Sequence, residues 1–509
     1  MDAVILQELL RPDTLFLLTL GTVFGIIIGA IPGLGSGIGV SVLLPFTFAM
    51  KPLSGLLLLA GVFMGGSYGG SISGILLNIP GTSEALCTTI EGFAMAKNGR
   101  GKEALYLAAI ASTIGGLVGV LVLIFFTPVL ARAALKFGPP EMVLVSLAGL
   151  TIVGSLSADN LLKGYFGAIF GMFLSMVGVD TVSGMTRFTF GIDIFVMGFK
   201  LVAVAGLGIV ATREMLIGIH KIAEKQKKKD IVHQEEIELE NISALQTFKN
   251  IMKNHKATLF KSAGLGTFIG ILPGAGSAIS AFLAYGEARR KSKTPFGNGN
   301  PEGIVAAESA NNAGVGGSFV PMLALGIPGS PTCALIFGAL TIHGITAGPR
   351  LFSDHASITY GFMYGLLVSV LIMGAVGLFC VPLFSKILTI KMEYLIPVVV
   401  ACIILGAYSI RSNMYDVICA LSFGLIGLLF KKVNIPQAPI FLGIILEPII
   451  EKNLVTAYTL AKAESLNILV YTFKRPLCIG IFILSMLLVY TNLLSSKREA
   501  QMKKEISRG

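Results

Sequence analysis

Each of the four Pro-Gly steps in this sequence interrupts an apolar stretch, and all four have hydroxyl side chains within a few residues. Pro32-Gly33 and Pro80-Gly81 lie in the first half of the 509-residue chain, and Pro273-Gly274 and Pro328-Gly329 lie in the second. Because proline has no N–H to continue a helix and glycine permits left-handed turns, each step predicts a break between two helical segments. A helix that restarts after such a break points N–H groups and a partial positive charge at the gap, which suits a carboxylate.

We predict that these loops, with the polar side chains near them, form the binding site for an anion. The alternative is that the breaks only kink helices or allow close packing, which is the interpretation we favour for isolated glycines such as Gly115-Gly116. The duplication of the loops and their hydroxyls favours the site. The predicted substrate-binding residues are Pro32, Gly33, Gly35, Ser71, Ser73, Asn78, Pro80, Gly81, Thr82, Pro273, Gly274, Gly276, Ser277, Asn311, Asn312, Ser318, Pro328, Gly329, Ser330 and Thr332.

A polar cluster in the second half, Glu308 with Asn311 and Asn312, belongs to the same prediction. Two amides and a carboxylate inside an otherwise apolar segment are costly unless paired, so they usually mark a functional interior. Asparagine both donates and accepts hydrogen bonds, which fits a carboxylate or a cation. For Glu308 the sequence leaves two interpretations open, a functional carboxylate and an interfacial start of a helix.

Composition determines the kind of element that must position these residues. Of the residues, 54% are hydrophobic and 13% are charged, whereas a soluble domain carries about 25% charged residues. Apolar runs approach the roughly 20 residues that cross a bilayer as a helix. Backbone groups inside a bilayer must bond internally, so the sequence predicts an all-α polytopic integral membrane protein.

Two motif pairs recur in the same order, which predicts an internal repeat. Ile28–Ser36 is similar to Ile269–Ser277, and Gly69–Thr82 is similar to Gly316–Ser330. The predicted division is a first transmembrane repeat over residues 1–219, a cytoplasmic linker over 220–256, and a second repeat with a C-terminal span and basic tail over 257–509. In both repeats the Pro/Gly breaks indicate interrupted helices or re-entrant loops.

Loop charges predict that the two repeats have inverted topologies. The basic loop follows the second Pro-Gly motif in the first half (Lys97–Lys102) but the first motif in the second half (Arg289–Lys293). Because basic loops stay in the cytoplasm, the exchange implies that one repeat is upside down relative to the other.

The formal charge of +11 lies in such loops and not on a basic face, so we predict no nucleic-acid binding. The six cysteines are scattered without metal-ligand spacing, and no cofactor or resident metal is predicted. The five histidines lie in or beside the linker and in one loop, away from any nucleophile motif, and no phosphate-binding loop occurs. We therefore predict that the chain is not an enzyme.

Through nearly its whole length the chain resembles the TctA family, the large membrane subunit of tripartite tricarboxylate transporters. The resemblance implies a secondary active transporter subunit that imports a di- or tricarboxylate such as citrate, coupled to Na⁺ or H⁺ by alternating access. It also implies a small membrane subunit, a periplasmic solute-binding protein and location in the inner membrane. The motifs that carry it are Pro32–Gly35, Gly69–Ser73, Asn78–Thr82, Glu91–Phe93, Phe137–Glu141, Arg187–Gly191 and Phe296–Phe352.

One residue departs from the family pattern. Glu84 is acidic where smaller residues are expected after Pro80-Gly81, which weakens a direct assignment of citrate. Carbonyl groups freed at the helix breaks are candidate ligands for Na⁺. The sequence does not identify which residues would supply them. The alternative function is a non-transporting membrane scaffold or assembly subunit of a transport complex.

Overall fold

The protein is helical almost throughout in a computed structural model. The residues that the structure describes are 2–31, 34–156, 161–180, 184–191, 193–196, 242–272, 276–292, 294–381, 383–384, 413–483, 485–486 and some positions between 397 and 408. The β-structure of these residues is one short antiparallel hairpin, in which β1 (Gly178–Val179) pairs with β2 (Thr186–Arg187). Residues 201–241, which contain most of the predicted linker, lie outside the described part of the chain.

The described helices follow the apolar segments of the sequence. Those of the first half are α1 (Asp2–Leu9), α2 (Pro12–Ala30), α3 (Gly35–Leu43), α4 (Pro52–Leu77), α5 (Leu86–Met95), α6 (Gly101–Ala134), α7 (Pro139–Leu156), α8 (Leu161–Met176) and α9 (Asp193–Val196). Those of the second half are α10 (Ala244–Asn250), α11 (Lys256–Ile271), α12 (Gly276–Lys291), α13 (Pro301–Leu325), α14 (Pro331–Ile342), α15 (Leu351–Asp354), α16 (Ala356–Phe379), α17 (Met414–Lys432), α18 (Gln437–Ala463) and α19 (Ile468–Phe473). Short 3-10 turns at Leu44–Ala49 and Ser83–Ala85 extend α3 and precede α5.

The predicted fold class, an all-α polytopic membrane protein, is confirmed. Large apolar side chains face outward, as a lipid-facing surface requires; Phe125 is 73% exposed and Phe379 is 82% exposed. The inverted topology of the repeats stays a prediction. Within the described residues, the helical segments long and apolar enough to cross a bilayer number five: Pro12–Ala30, Pro52–Leu77, Ser83–Ala134, Ala356–Phe379 and Met414–Lys432.

Helix α5 was not predicted among the membrane spans. It is 10 residues long and contains Thr88 and Glu91, so by itself it is too short to be predicted as a span, which needs roughly 20 apolar residues. The structure buries Thr88 and Glu91 completely, and their partners lie on other helices. Burial against protein, which local hydropathy does not report, explains the difference.

The described residues form two compact units. Unit 1 consists of the described parts of 1–131, 203–272 and 276–428, and it contains every predicted site residue that the structure describes. Unit 2 consists of the described parts of 132–202 and 429–509, where α18 packs against α7 and α8.

Glycines at every fourth position bring α2 and α4 into backbone contact in unit 1. A Cβ on Gly21, Gly25 or Gly29 of α2 would lie 2.2–2.5 Å from a carbonyl oxygen of α4. In the reverse direction, a Cβ on Gly65 or Gly69 of α4 would lie 2.2–2.3 Å from a carbonyl oxygen of α2. Small residues of this kind allow close helix packing in membranes, where burial of apolar surface contributes little between helices.

The same packing recurs between α11 and α13. A Cβ on Gly266 would lie 2.3 Å from the carbonyl oxygen of Ala310, and one on Gly270 would lie 2.5 Å from that of Gly314. These glycines precede Pro273 by the same number of residues as Gly25 and Gly29 precede Pro32. The repeated motifs are therefore attached to repeated helix pairs.

The isolated pair Gly115-Gly116 also packs a helix, as predicted. A Cβ on Gly115 of α6 would lie 2.1 Å from the backbone oxygen of Ser309 on α13. One on Gly116 would lie 3.1 Å from Val370 of α16. These glycines bring α6 against the helix that carries the predicted polar cluster.

Candidate functional site

The helices end where the first Pro-Gly motif of each half predicts a break. In the first half α2 ends at Ala30 and α3 begins at Gly35, and in the second half α11 ends at Ile271 and α12 begins at Gly276. Gly35 and Gly276 both have a φ of +65°, in the left-handed region that favours glycine. The predicted site residues Pro32, Gly33, Pro273 and Gly274 lie outside the described residues.

The second Pro-Gly motif of each half folds back on the helix that precedes it. Asn78, which directly follows α4, has a φ of 58°, and Gly326, which directly follows α13, has a φ of 74°. Both helices are therefore capped by a residue in the left-handed conformation. The Gly81 N–H then donates to the Gly70 carbonyl over 3.1 Å. In the second half the Gly329 N–H donates over 3.1 Å to the carbonyl of Ser318.

These folded-back loops touch the end of the helix that carries the first motif. A Cβ on Gly81 would lie 2.0 Å from the carbonyl oxygen of Gly29, and one on Gly329 would lie 2.7 Å from that of Gly270. Glycine is therefore required at both places by close approach of the backbone. Pro80 and Pro328 precede these glycines and interrupt the helical ladder.

The two halves exchange partners at these loops. Ser277, at the start of α12, donates its hydroxyl to Oε1 of Glu84 over 3.3 Å, and Glu84 belongs to the turn after the first-half loop. Conversely, a Cβ on Gly37 of α3 would lie 3.5 Å from Oγ1 of Thr332, at the start of α14. The first motif of each half therefore faces the second motif of the other half within unit 1.

Glu84, the residue that departs from the family pattern, makes this arrangement unequal. Its counterpart in the second half is Thr332, two residues after Ser330 as Glu84 is two residues after Thr82. A carboxylate thus stands beside the start of α12, whereas a hydroxyl stands beside the start of α3. The two ends of the site differ in charge.

The predicted hydroxyls have different roles. Ser330 caps α14, because its Oγ accepts the Cys333 N–H over 3.1 Å. Ser71 and Ser318 donate to carbonyls of their own helices, each over 2.7 Å, and Ser73 does so over 3.4 Å. Thr82 has a buried Oγ1 without a hydrogen-bond partner. Asn78 is exposed and ends α4, so the structure gives it the role of a helix C-cap.

The polar cluster on α13 is fully buried, and Glu308 is not at an interfacial helix start. Glu308 has no exposed surface, and its carboxylate accepts the hydroxyl of Thr88 over 2.5 Å and that of Ser112 over 2.8 Å. Asn311 donates its Nδ2 to the Ser67 carbonyl over 3.0 Å, and Asn312 donates to the Glu308 carbonyl over 3.4 Å. The interpretation of Glu308 as an interfacial helix start is therefore wrong, and its role as a functional carboxylate stays a prediction.

Three of these partners were missed by the sequence analysis. Ser67, Thr88 and Ser112 lie on α4, α5 and α6, and each is a lone hydroxyl among many in the chain. In the sequence, each of the three is a hydroxyl residue flanked by small or apolar residues. Most hydroxyl residues of this chain have the same kind of neighbours. Only the approach of α4, α5 and α6 to α13 distinguishes them.

Comparison with known proteins identifies the family. The profile described as "Tripartite tricarboxylate transporter TctA family" matches residues 15–442, a range that includes every predicted site residue. The chain belongs to the TctA family.

It is 33% identical over 462 residues, 90% of each chain, to an Agrobacterium vitis protein described as "Uncharacterized 52.8 kDa protein in TAR-I ttuC' 3'region". A second Agrobacterium vitis protein, "Uncharacterized protein in TAR-II ttuC' 3'region", is 33% identical over 236 residues, 46% of this chain and 97% of that protein. No solved structure matches significantly.

This TctA-family protein is therefore a component of a tricarboxylate transporter and a multi-pass membrane protein. The tripartite organisation in the family's description implies partner subunits. It also assigns the chain to a family of transporters.

Some motifs of the TctA resemblance have a structural role. Glu91 of α5 is fully buried and accepts four hydrogen bonds, one of them from the Tyr285 hydroxyl over 2.8 Å. The other donors are the backbone N–H groups of Gly297, Gly299 and Asn300, at 2.6, 3.0 and 2.8 Å. Glu91 thus fastens the loop that leads into α13 and its polar cluster.

In unit 2 the motif Phe137–Glu141 holds an ion pair. The Glu141 carboxylate is fully buried, accepts the Gly138 N–H over 2.9 Å and pairs with Arg475 over 2.5 Å. A second bridge joins Arg187 to Glu451 through two hydrogen bonds of 2.6 and 2.9 Å. These residues stabilise unit 2 and take no part in the polar cluster.

Replacing Arg475 with alanine should destabilise the protein by about 3 kcal/mol, because it leaves the buried Glu141 charge unpaired. Thermal unfolding of the purified protein in detergent measures this. Glu141→Gln combined with Arg475→Ala removes the charge as well and should recover part of the loss. A double variant no more stable than Arg475→Ala would contradict this account of the pair.

Proposed function

We propose that this chain is the subunit that moves an organic acid anion, a di- or tricarboxylate, across the inner membrane by secondary active transport coupled to Na⁺ or H⁺. The observation that carries the proposal is the exchange of partners between the two sets of broken helices in unit 1. Paired, Pro/Gly-interrupted segments in corresponding positions of two repeats are the pattern of binding sites in secondary transporters.

The chemistry at these breaks suits a carboxylate. Helices α3, α12 and α14 begin at them, and each helix start directs free N–H groups toward the break. The buried hydroxyl of Thr82, which has no partner, is available to donate to the same ligand. Irregular backbone inside a membrane protein is tolerated where it is buried in protein or lines a cavity, and Gly81 and Gly329 are both buried.

The coupling mechanism that we propose is alternating access with inverted repeats. The exchange of basic loops between the halves supports the inversion. Movement of the motif-bearing elements would open the breaks to one side of the membrane and then to the other. A periplasmic binding protein would supply the anion, and a small membrane subunit would complete the complex.

Uptake of labelled carboxylates tests the proposal. Cells that lack this gene are complemented with it, and uptake of ¹⁴C-labelled di- and tricarboxylates is followed with and without a Na⁺ gradient. Thr82→Ala and Ser330→Ala are expected to lower uptake about tenfold, which corresponds to the loss of one good hydrogen bond to a charged ligand. Uptake that is absent for every organic acid would refute the transport proposal.

The control variant is Thr19→Ala, which removes an exposed hydroxyl of α2 bonded to its own helix. It should transport as the unchanged protein does, at an equal amount of protein in the membrane. If instead Thr82→Ala and Ser330→Ala transport normally while assembly with the partner subunits fails, the scaffold function is correct and the transport function is not.

A further inference from the structure

The carboxylate of Glu308 has no cationic partner. Its two oxygens accept the Thr88 and Ser112 hydroxyls, and the neutral Asn311 side chain also lies against it. Within the described residues, no Lys, Arg or His forms an ion pair with this carboxylate. Two neutral hydroxyl donors do not offset the loss of hydration of a fully buried carboxylate. The site therefore requires a positive charge from outside the chain.

Unpartnered oxygen atoms surround the same carboxylate. Asn311 lies three residues after Glu308, so the two side chains share one face of α13. Its Nδ2 is bonded to the Ser67 carbonyl, but its Oδ1 is buried without a donor. Oγ of Ser67 is likewise buried without a partner. A proton on Glu308 would neutralise one group, whereas a bound cation would also satisfy several oxygens.

The composition of the cluster selects the cation. It presents one carboxylate, three hydroxyls and one amide oxygen, from α4, α5, α6 and α13. Hard oxygen ligands suit alkali and alkaline-earth cations and not the softer transition metals. A single negative charge matches a monovalent ion, because calcium sites usually contain more carboxylates.

We propose that Glu308, Asn311, Ser67, Thr88 and Ser112 bind a Na⁺ ion that is carried together with the anion. The co-transport part rests on the proposed function, whereas the binding part rests on the cluster alone. This assignment selects Na⁺ over H⁺ as the coupling ion and identifies its ligands.

The site lies between the helices that flank two of the breaks. Helix α5, which carries Thr88, begins after the break at Pro80-Gly81, and α13, which carries Glu308, ends before the break at Pro328-Gly329. An ion that bridges α5 and α13 therefore fixes the start of α5, two residues before Thr88, and with it the end of the break at Pro80-Gly81. Bound Na⁺ then raises the affinity for the anion, and by linkage the anion raises the affinity for Na⁺ by the same factor.

Direct binding of Na⁺ to the purified full-length protein in detergent tests the inference. The melting temperature is measured as NaCl replaces choline chloride at constant ionic strength. Since a ligand that binds only the folded state stabilises it by mass action, a saturable increase is expected with Na⁺. The unchanged protein should show it, and Glu308→Gln should not.

Glu302→Gln is the matched control, because Glu302 lies on the same helix and also accepts a threonine hydroxyl, that of Thr258 over 2.7 Å. It should keep the Na⁺ response. Ser112→Ala keeps the carboxylate and should weaken Na⁺ binding about tenfold. This variant takes the place of Glu308→Gln in the test if Glu308→Gln does not fold. The site would be overturned if the unchanged protein showed no Na⁺ response. It would also be overturned if Glu308→Gln and Ser112→Ala both responded to Na⁺ as the unchanged protein does.

Isotope flux separates this inference from the proposed function. In proteoliposomes that contain the assembled transporter, ²²Na⁺ entry should depend on the carboxylate, and Ser112→Ala should reduce both fluxes together. Na⁺ binding with no carboxylate uptake would refute the transport function and leave the ion site intact. Carboxylate uptake that proceeds equally without Na⁺ would refute co-transport at this site and leave the transport function intact.

Discussion

Substitution of alanine for Gly266 is expected to separate α11 from α13 and to leave little folded protein in the membrane. The added Cβ would lie 2.3 Å from the carbonyl oxygen of Ala310 and 2.5 Å from its Cα. Both are backbone atoms that cannot rotate away, so the two helices must move apart along their contact. Overpacking costs about 1–3 kcal/mol where side chains can yield, and more is expected where backbone must move. The measurement is the yield of monodisperse protein in size-exclusion chromatography, which should fall several-fold or more.

The control for this variant lies two residues earlier on the same helix. A Cβ on Gly264 would meet no atom within 4 Å, so Gly264→Ala introduces the same methyl group into open space. Alanine is favoured over glycine in a helix by about 1 kcal/mol, and the yield should be unchanged or higher. Equal losses in both variants would show that the contact with α13 does not set the requirement for glycine.

Replacing Glu91 with alanine is expected to lower the stability of unit 1 by about 2–6 kcal/mol. The carboxylate accepts the backbone N–H groups of Gly297, Gly299 and Asn300, and the two buried ones, of Gly299 and Asn300, would be left without an acceptor at a cost of about 1–3 kcal/mol each. Because this loop leads into α13, the polar cluster should lose its alignment as well. Thermal unfolding in detergent reports the stability, and carboxylate uptake reports the alignment.

Tyr285→Phe provides the graded comparison. It deletes one of the four donors to Glu91 and keeps the aromatic ring, which packs against Phe296 with the ring centroids 5.2 Å apart. The expected cost is about 1 kcal/mol, the usual contribution of one hydrogen bond. If Glu91→Ala were as mild as Tyr285→Phe, the backbone hydrogen bonds of the loop would not depend on Glu91.

The positions of the helix breaks followed from the sequence because they depend on local chemistry. Proline at 80 and 328 removes an N–H, and the glycine after each permits close backbone approach, whatever the rest of the chain does. Duplication of these steps also indicated that two halves would be built alike, and the matching φ of +65° at Gly35 and Gly276 agrees with that.

The roles of single side chains do not follow from local sequence in the same way. Ser71 and Ser318 were predicted to bind substrate, yet their hydroxyls bond to their own helices in the structure. Any serine in a helix has a carbonyl three or four residues earlier within reach, so its residue type alone does not tell whether the hydroxyl faces a ligand. Conversely, Thr88 and Ser112 were overlooked, because nothing near them in the sequence differs from other hydroxyl residues.

By itself the sequence determined that this protein is a bundle of membrane helices, interrupted at repeated Pro-Gly steps, and that a carboxylate and two amides lie within it. Those properties depend on apolar composition and on backbone geometry within a few residues. Only the tertiary structure decided that the first motif of each half faces the second motif of the other, and that Glu308 meets Thr88 and Ser112. Contacts between residues about 200 positions apart depend on which helices pack together, and glycine-mediated packing sets that through the shape of whole helix faces.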